Sequence, residues 1–235
     1  MVKFEYCKNG YIYKILEEFN GYQDPNEPIV AHVQELTGIT DEMVKGKNID
    51  QNIVAEFLED VDVIVAHNAA FDRPFFKKLF PDLSAKAWGC SRADIDWKAE
   101  KVESQKLEYL AYKYNFFYER HKAVVDCLAG LHLLAQNLFI SNRPVLKQLL
   151  VNCHKNRYKI WAKNAPFETK DLLKARGYRW CTHPQENYKA WVVEVNEDLL
   201  DSELNYLCAN AYLTNHHIPV QTITPYNTSA NYYPL

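Results

Sequence analysis

The sequence predicts an α/β protein in two parts, and three observations carry that expectation. Residues 61–66, Val61-Asp62-Val63-Ile64-Val65-Ala66, are a nearly continuous apolar run rich in β-branched residues, as in strands covered on both faces. Helical stripes alternate with such runs up to about residue 140. From about residue 156 the pattern restarts as strand, helix, strand, strand, helix, strand.

The elements follow in order. Lys8-Asn9-Gly10 between the apolar runs Val2 to Tyr6 and Tyr11 to Leu16 is a hairpin signal. Phe19 to Ile29 is rich in turn formers, with Asp24-Pro25 and Glu27-Pro28 as breakers. Val30 to Leu36 suits a short helix, and Thr40 suits an N-cap for the segment Asp41 to Val44. Asp50 is placed to cap a helix whose apolar face is Ile53, Val54, Phe57 and Leu58. After the strand at 61–66, Phe71 to Phe80 reads as a helix and Ala87 to Cys90 as a short strand. Leu107, Leu110, Ala111 and Tyr114 form one helical stripe, and the segment from Lys122 to Leu138 forms another. A linking helix is expected from about Arg143 to Cys153. Pro166 at a first helical position and Gly177 just past the end punctuate a helix over 166–176. Strands are expected over 158–162, 178–182, 190–195 and 220–224, with a helix opened by Glu197 and Asp198. The expected organisation is therefore a first domain over 1–140, a link over 141–155, a small α/β domain over 156–226 and a tail over 227–235.

The chain has 235 residues, of which 48% are hydrophobic and 24% charged, an ordinary globular composition. The formal net charge of −3 supplies no global field toward nucleic acid, so any basic surface is local. The six cysteines are spread without a C-x-x-C pair, which argues against a zinc cluster or a disulfide framework and for a reducing, cytoplasmic setting. No apolar run is long enough for a bilayer, and the N-terminal residues lack the apolar core of a signal peptide.

Two short blocks carry chemistry. His67-Asn68-Ala69-Ala70-Phe71-Asp72 follows the strand at 61–66 and puts a carboxylate at the start of a helix. Open α/β sheets bind ligands at that end of a strand. His121-Lys122-Ala123-Val124-Val125-Asp126 opens a second apolar helix, with the histidine just before it and the aspartate one turn in. Taken singly, Asp72 is as readily an N-cap, His121 a surface histidine and Asp126 a solvated residue. His67 and Asn68 read more simply as holding their turn than as catalysts. Their joint occurrence in this order favours a site.

The two blocks resemble the second and third motifs of the DEDDh 3′-5′ exonucleases, the DnaQ-like family that includes the epsilon subunit of DNA polymerase III. Leu36-Thr37-Gly38-Ile39-Thr40-Asp41-Glu42-Met43-Val44 and Lys106-Leu107-Glu108-Tyr109-Leu110 are similar to intervening stretches of that family, so the resemblance covers about residues 1–140. It implies a ribonuclease H-like exonuclease fold, a mixed sheet with flanking helices. It implies hydrolysis of nucleic acid from the 3′ end, using two divalent ions, Mg2+ or Mn2+, about 4 Å apart. Asp72 and Asp126 are then metal ligands, hard oxygen donors for hard ions. His121 is then the general base, a role that suits imidazole near neutral pH. His67, Asn68 and Phe71 are then placed to meet the nucleic acid.

The family's first motif, an Asp-x-Glu on the central strand, is absent. Glu5 has Lys3 two residues before it, Glu17-Glu18 lies too far on, and Asp60-x-Asp62 stands at the wrong end of its strand. The resemblance thus implies an incomplete two-ion site and a missing first strand, as in a chain truncated at its N-terminus. A non-catalytic nucleic-acid-binding or interaction module on the same scaffold is the rival reading. A proofreading subunit with a polymerase partner ranks third, since no polymerase-binding segment is recognisable.

The small domain is polarised. Residues 155–179 carry eight basic residues, including Lys170, Lys174 and Arg176, interleaved with Tyr158, Trp161, Phe167 and Tyr178. Such a surface suits single-stranded nucleic acid. Trp161 and Trp191 fit a small core better than a binding surface.

Overall fold

The structure is a computed structural model that describes residues 1–83, 86–120, 122–183, 186–213 and 216–224. It divides into two compact units, Met1–Cys153 and the remainder from His154. The expected tail over 227–235 lies outside the described residues.

The first unit opens with the expected hairpin, β1 (Val2–Tyr6) and β2 (Ile12–Glu18), paired antiparallel. Its turn closes through Gly10 N–H donating to the Cys7 carbonyl at 2.8 Å, with Gly10 at φ 82°. That left-handed angle, and backbone atoms of Lys147 within 2.7 Å of where a β-carbon would stand, leave room for glycine only. Three short helices follow, α1 (Ala31–Thr37), α2 (Asp41–Val44) and α3 (Gln51–Phe57). Asp50 caps α3, its carboxylate accepting from the Asn52 N–H at 2.8 Å. Thr40 occupies the N-cap position of α2 without a side-chain bond to the helix amides.

Strand β3 (Val63–Ala66) feeds α4 (Ala69–Leu79) and pairs in parallel with β4 (Ala87–Cys90). The sequence leads one to expect a single mixed sheet with β3 covered on both faces. Among the described residues the strands instead form two separate two-stranded ladders, and all four residues of β3 are half-buried. A parallel strand with one neighbour keeps one row of N–H and C=O groups unpaired, and its side chains stay partly open. The two ladders still share a core: Phe4, Tyr6, Val63 and Val65 pack against the same cluster. Lys3 pairs with Asp60, and the Tyr6 hydroxyl donates to Asp62 at 3.3 Å.

That core is built by α5 (Leu107–Lys113), α6 (Ala123–Leu134) and α7 (Val145–Cys153). Leu110, Leu133, Leu146 and Leu149 are fully buried in it. Residues 145–153, expected to be part of a link, are therefore part of the first unit's interior. Leu149 approaches β4 so closely that a β-carbon on Gly89 would stand 2.5 Å from its Cδ2.

The second unit is a four-stranded antiparallel sheet of β5 (Arg157–Ala162), β6 (Arg179–Thr182), β7 (Lys189–Asn196) and β8 (Val220–Ile223), in the order β6-β7-β5-β8. Helix α8 (Lys170–Ala175) connects β5 to β6, and α9 (Leu200–Leu207) connects β7 to β8. Ile160, Ala162, Val193 and Val195 on one sheet face pack against Leu173, Leu207 and Ala211. This is the β-α-β-β-α-β arrangement of ferredoxin-like domains. Trp161 is buried and Trp191 is partly buried against the helix-facing core, both in keeping with a core role.

Candidate active site

The site begins where β3 ends. Asn68 takes a left-handed conformation, φ 79° and ψ 49°, which turns the chain from strand into α4. Asparagine tolerates that region better than most residues. Its Oδ1 accepts from Arg92 Nη1 at 3.2 Å. His67 is wedged beside it, with Nδ1 2.9 Å from the Ser91 hydroxyl and Nε2 2.9 Å from the Gln105 carbonyl. A carbonyl only accepts, so Nε2 carries the proton and Nδ1 accepts from the serine. Burial first, and then the Arg92 charge, hold the His67 pKa below its ordinary value, against the opposing Gln105 bond. His67 and Asn68 are thus both engaged in fixing the strand-to-helix turn, which is the plainer of the two expectations for them.

Asp72 lies in the first turn of α4, on the helical stripe of Ala69 and Phe76 that packs toward Trp88. Its side chain keeps access to solvent at the open end of that stripe. The surrounding protein nevertheless removes part of its hydration, which pushes its pKa up. On the outer side of α4, Phe71 and Phe75 are 56% and 57% exposed, with ring centroids 5.2 Å apart.

Asp126 lies in the first turn of α6, on the stripe of Ala129 and Leu133 that enters the core, and is itself half-buried. Its charge bears on Tyr118, whose hydroxyl is pushed up to about 12, chiefly by burial and next by Asp126. Cys127 follows Asp126 on α6. Its thiol pKa is raised, first by burial, while the Met1 ammonium opposes and both Asp72 and Asp126 add to the rise.

His121, the expected general base, lies outside the described residues. Among the described residues no group of three or more His, Cys, Asp or Glu side chains is placed to hold a metal ion. Asp60 and Asp62 do not fill the gap. They precede β3, at the opposite end from Asp72, and meet Lys3 and Tyr6 there. The described donors thus fall short of a two-ion site.

In the second unit, Lys170 lies over Phe167 with its Nζ 4.3 Å from the ring centre, and Lys174 Nζ lies 5.9 Å from the ring of Trp191. Arg176 differs from both. Its Nε stands 2.9 and 3.0 Å from the two Glu203 oxygens, and its guanidinium lies 3.5 Å over Tyr206. Sequence reasoning missed Arg92, Gln105, Tyr118 and Cys127. Arg92 had a signal, since it directly follows a strand ending beside β3. Gln105 and Cys127 adjoin stretches that the sequence singled out, but no pattern marked them; Tyr118 is brought near Asp126 only by folding.

Asp72, in the first turn of α4 just after β3, and Asp126, in the first turn of α6, stand where the two sequence motifs put them. The model of the RNase_T family, described as exonuclease, matches residues 5–134. The chain belongs to this DnaQ-like exonuclease family. The DNA polymerase III PolC-type protein of Listeria innocua is 32% identical over 135 residues, covering 54% of this chain and 9% of that protein. That of Bacillus subtilis is 29% identical over 133 residues, covering 53% and 9%. That of Streptococcus thermophilus is 46% identical over 63 residues, covering 26% and 4%. The chain thus spans less than a tenth of the length of these relatives. A solved structure, exonuclease X in complex with 5′ overhanging duplex DNA, aligns over 57% of this chain and 76% of that chain, at 21% identity and a TM-score of 0.42. No helix among the described residues is long and apolar enough to cross a membrane.

Proposed function

We propose that this chain is a 3′-5′ exonuclease-type hydrolase acting on nucleic acid ends, with Asp72 and Asp126 as ligands for Mg2+ or Mn2+ and His121 as the base that takes the proton of the attacking water. The observation that carries this is the match of residues 5–134 to an exonuclease family, with Asp72 and Asp126 each in the first turn of a helix of that region. Partial desolvation makes Asp72 poorly accommodated as an anion, and a divalent ion would restore the balance there. The two described carboxylates do not by themselves complete a two-ion site, so no bond-breaking step is assigned through the metal.

The chain's own residues act as follows. His67 and Asn68 hold the turn that aims Asp72. The exposed Phe71–Phe75 pair, on the same helix, offers ring faces to an unpaired terminal base. The relatives are named DNA polymerase III, which makes DNA the first substrate to try and such a polymerase the first partner.

The rival is a non-catalytic module that binds nucleic acid on the same scaffold. A 5′-labelled single strand incubated with Mg2+ or Mn2+ separates the two. The hydrolase shortens it stepwise from the 3′ end, and Asp126→Asn abolishes the shortening. Binding without shortening at any metal concentration establishes the rival.

A further inference from the structure

We infer that the second unit carries its own single-strand-binding surface, a row formed by Phe167, Lys170, Lys174, Trp191 and Trp180. Lys170 and Lys174 are one turn apart on α8, so they share a face of that helix. Each lies against an aromatic ring, Lys170 on Phe167 and Lys174 on Trp191. Trp191 in turn meets Trp180 edge to face, with ring centroids 5.4 Å apart. The contacts therefore run continuously from ring to cation to cation to ring to ring.

Two features separate this row from an ordinary solvated helix face. Phe167 is 74% exposed and Trp180 is 55% exposed, so two large rings stand in water at its ends. Neither lysine forms an ion pair among the described residues, whereas Lys159, Lys163 and Arg176 in the same unit each have a glutamate. Flat apolar faces flanking two unpaired positive charges complement a polymer of flat bases joined by phosphates. In a duplex the base faces are stacked away, so the complementary form is single-stranded. Arg176 is left out of the row, because Glu203 neutralises it.

The inference rests on the proposed nucleic-acid function for the choice of polymer, but its test needs neither metal nor cleavage. The full chain carrying Asp72→Asn and Asp126→Asn is titrated, in EDTA, into fluorescently labelled single-stranded DNA and RNA of mixed sequence. The expected result is salt-dependent binding accompanied by quenching of tryptophan emission. Trp180→Ala weakens it about tenfold. Lys170→Glu with Lys174→Glu weakens it at least as much and lowers the salt slope by about 0.7 per lysine removed. Far-ultraviolet circular dichroism confirms that these surface variants fold. Unchanged affinity in both variants overturns the inference, as does affinity lost only through Phe71→Ala in the first unit. Absence of nuclease activity in the parent chain bears on the proposed hydrolase alone.

Discussion

His67 bridges Ser91 and Gln105, with both of its ring nitrogens 2.9 Å from an oxygen. The bridge fastens the end of β3 to the segment between β4 and α5, and burial there disfavours the charged ring. Burial lowers the folded-state pKa below the ordinary 6.5, so the unfolded chain takes up this proton first. The stability contributed by His67 is therefore complete above about pH 6.5 and is lost as pH falls through the folded value. Urea titrations at descending pH should show the midpoint of the wild type falling more steeply below about pH 6.5 than that of His67→Ala. Parallel curves would remove His67 from the acid response.

Asp72 has the opposite sign. Its folded pKa is raised above 3.8, so its charged form is disfavoured in the fold, and the penalty is present at neutral pH. Asp72→Asn should raise the Tm at neutral pH, with the gain shrinking as pH falls toward 3.8, while metal-dependent shortening of a labelled strand disappears. A Tm below that of the wild type at neutral pH contradicts this account of the carboxylate.

Gly10 is fixed by a close approach rather than by the turn alone. Gly10→Ala meets Lys147 backbone and Cβ atoms at 2.5–2.7 Å and keeps a φ of 82° that alanine resists. The expected loss is about 2–4 kcal/mol, from overpacking plus the left-handed backbone. Chemical denaturation measures it directly, and a loss under about 0.5 kcal/mol, the usual size for a surface site, would show that the hairpin moves away freely.

Glu203 is 7% exposed and accepts from both Arg176 and the Tyr178 hydroxyl, the latter at 2.9 Å. Arg176→Ala leaves that carboxylate buried with one partner. Because the arginine is partly exposed, the expected cost is reduced to about 2 kcal/mol. Arg176→Ala with Glu203→Gln should recover part of it, and denaturation of both variants tests this coupling. Neither change should alter single-strand affinity beyond its effect on folding.

Local chemistry made much of the fold legible. Asn9-Gly10 announced the β1–β2 turn, Asp50 announced the start of α3, and the strand-helix order after residue 156 announced the second unit. These signals lie within a few residues of the structure they specify, because they depend on backbone angles and on neighbouring side chains. The motif carboxylates Asp72 and Asp126 were legible in the same way, since each follows from its place one turn into a helix.

What the sequence determined by itself was therefore the element order, the exonuclease family and the two motif carboxylates. Tertiary structure alone decided that α7 belongs to the first unit's core and that β3 keeps a single strand neighbour among the described residues. It alone decided that Arg176 is spent on Glu203 while Lys170 and Lys174 are not. The reason is physical. Burial, desolvation and charge pairing are set by which residues become neighbours across long separations in the chain, and no spacing along the sequence records that.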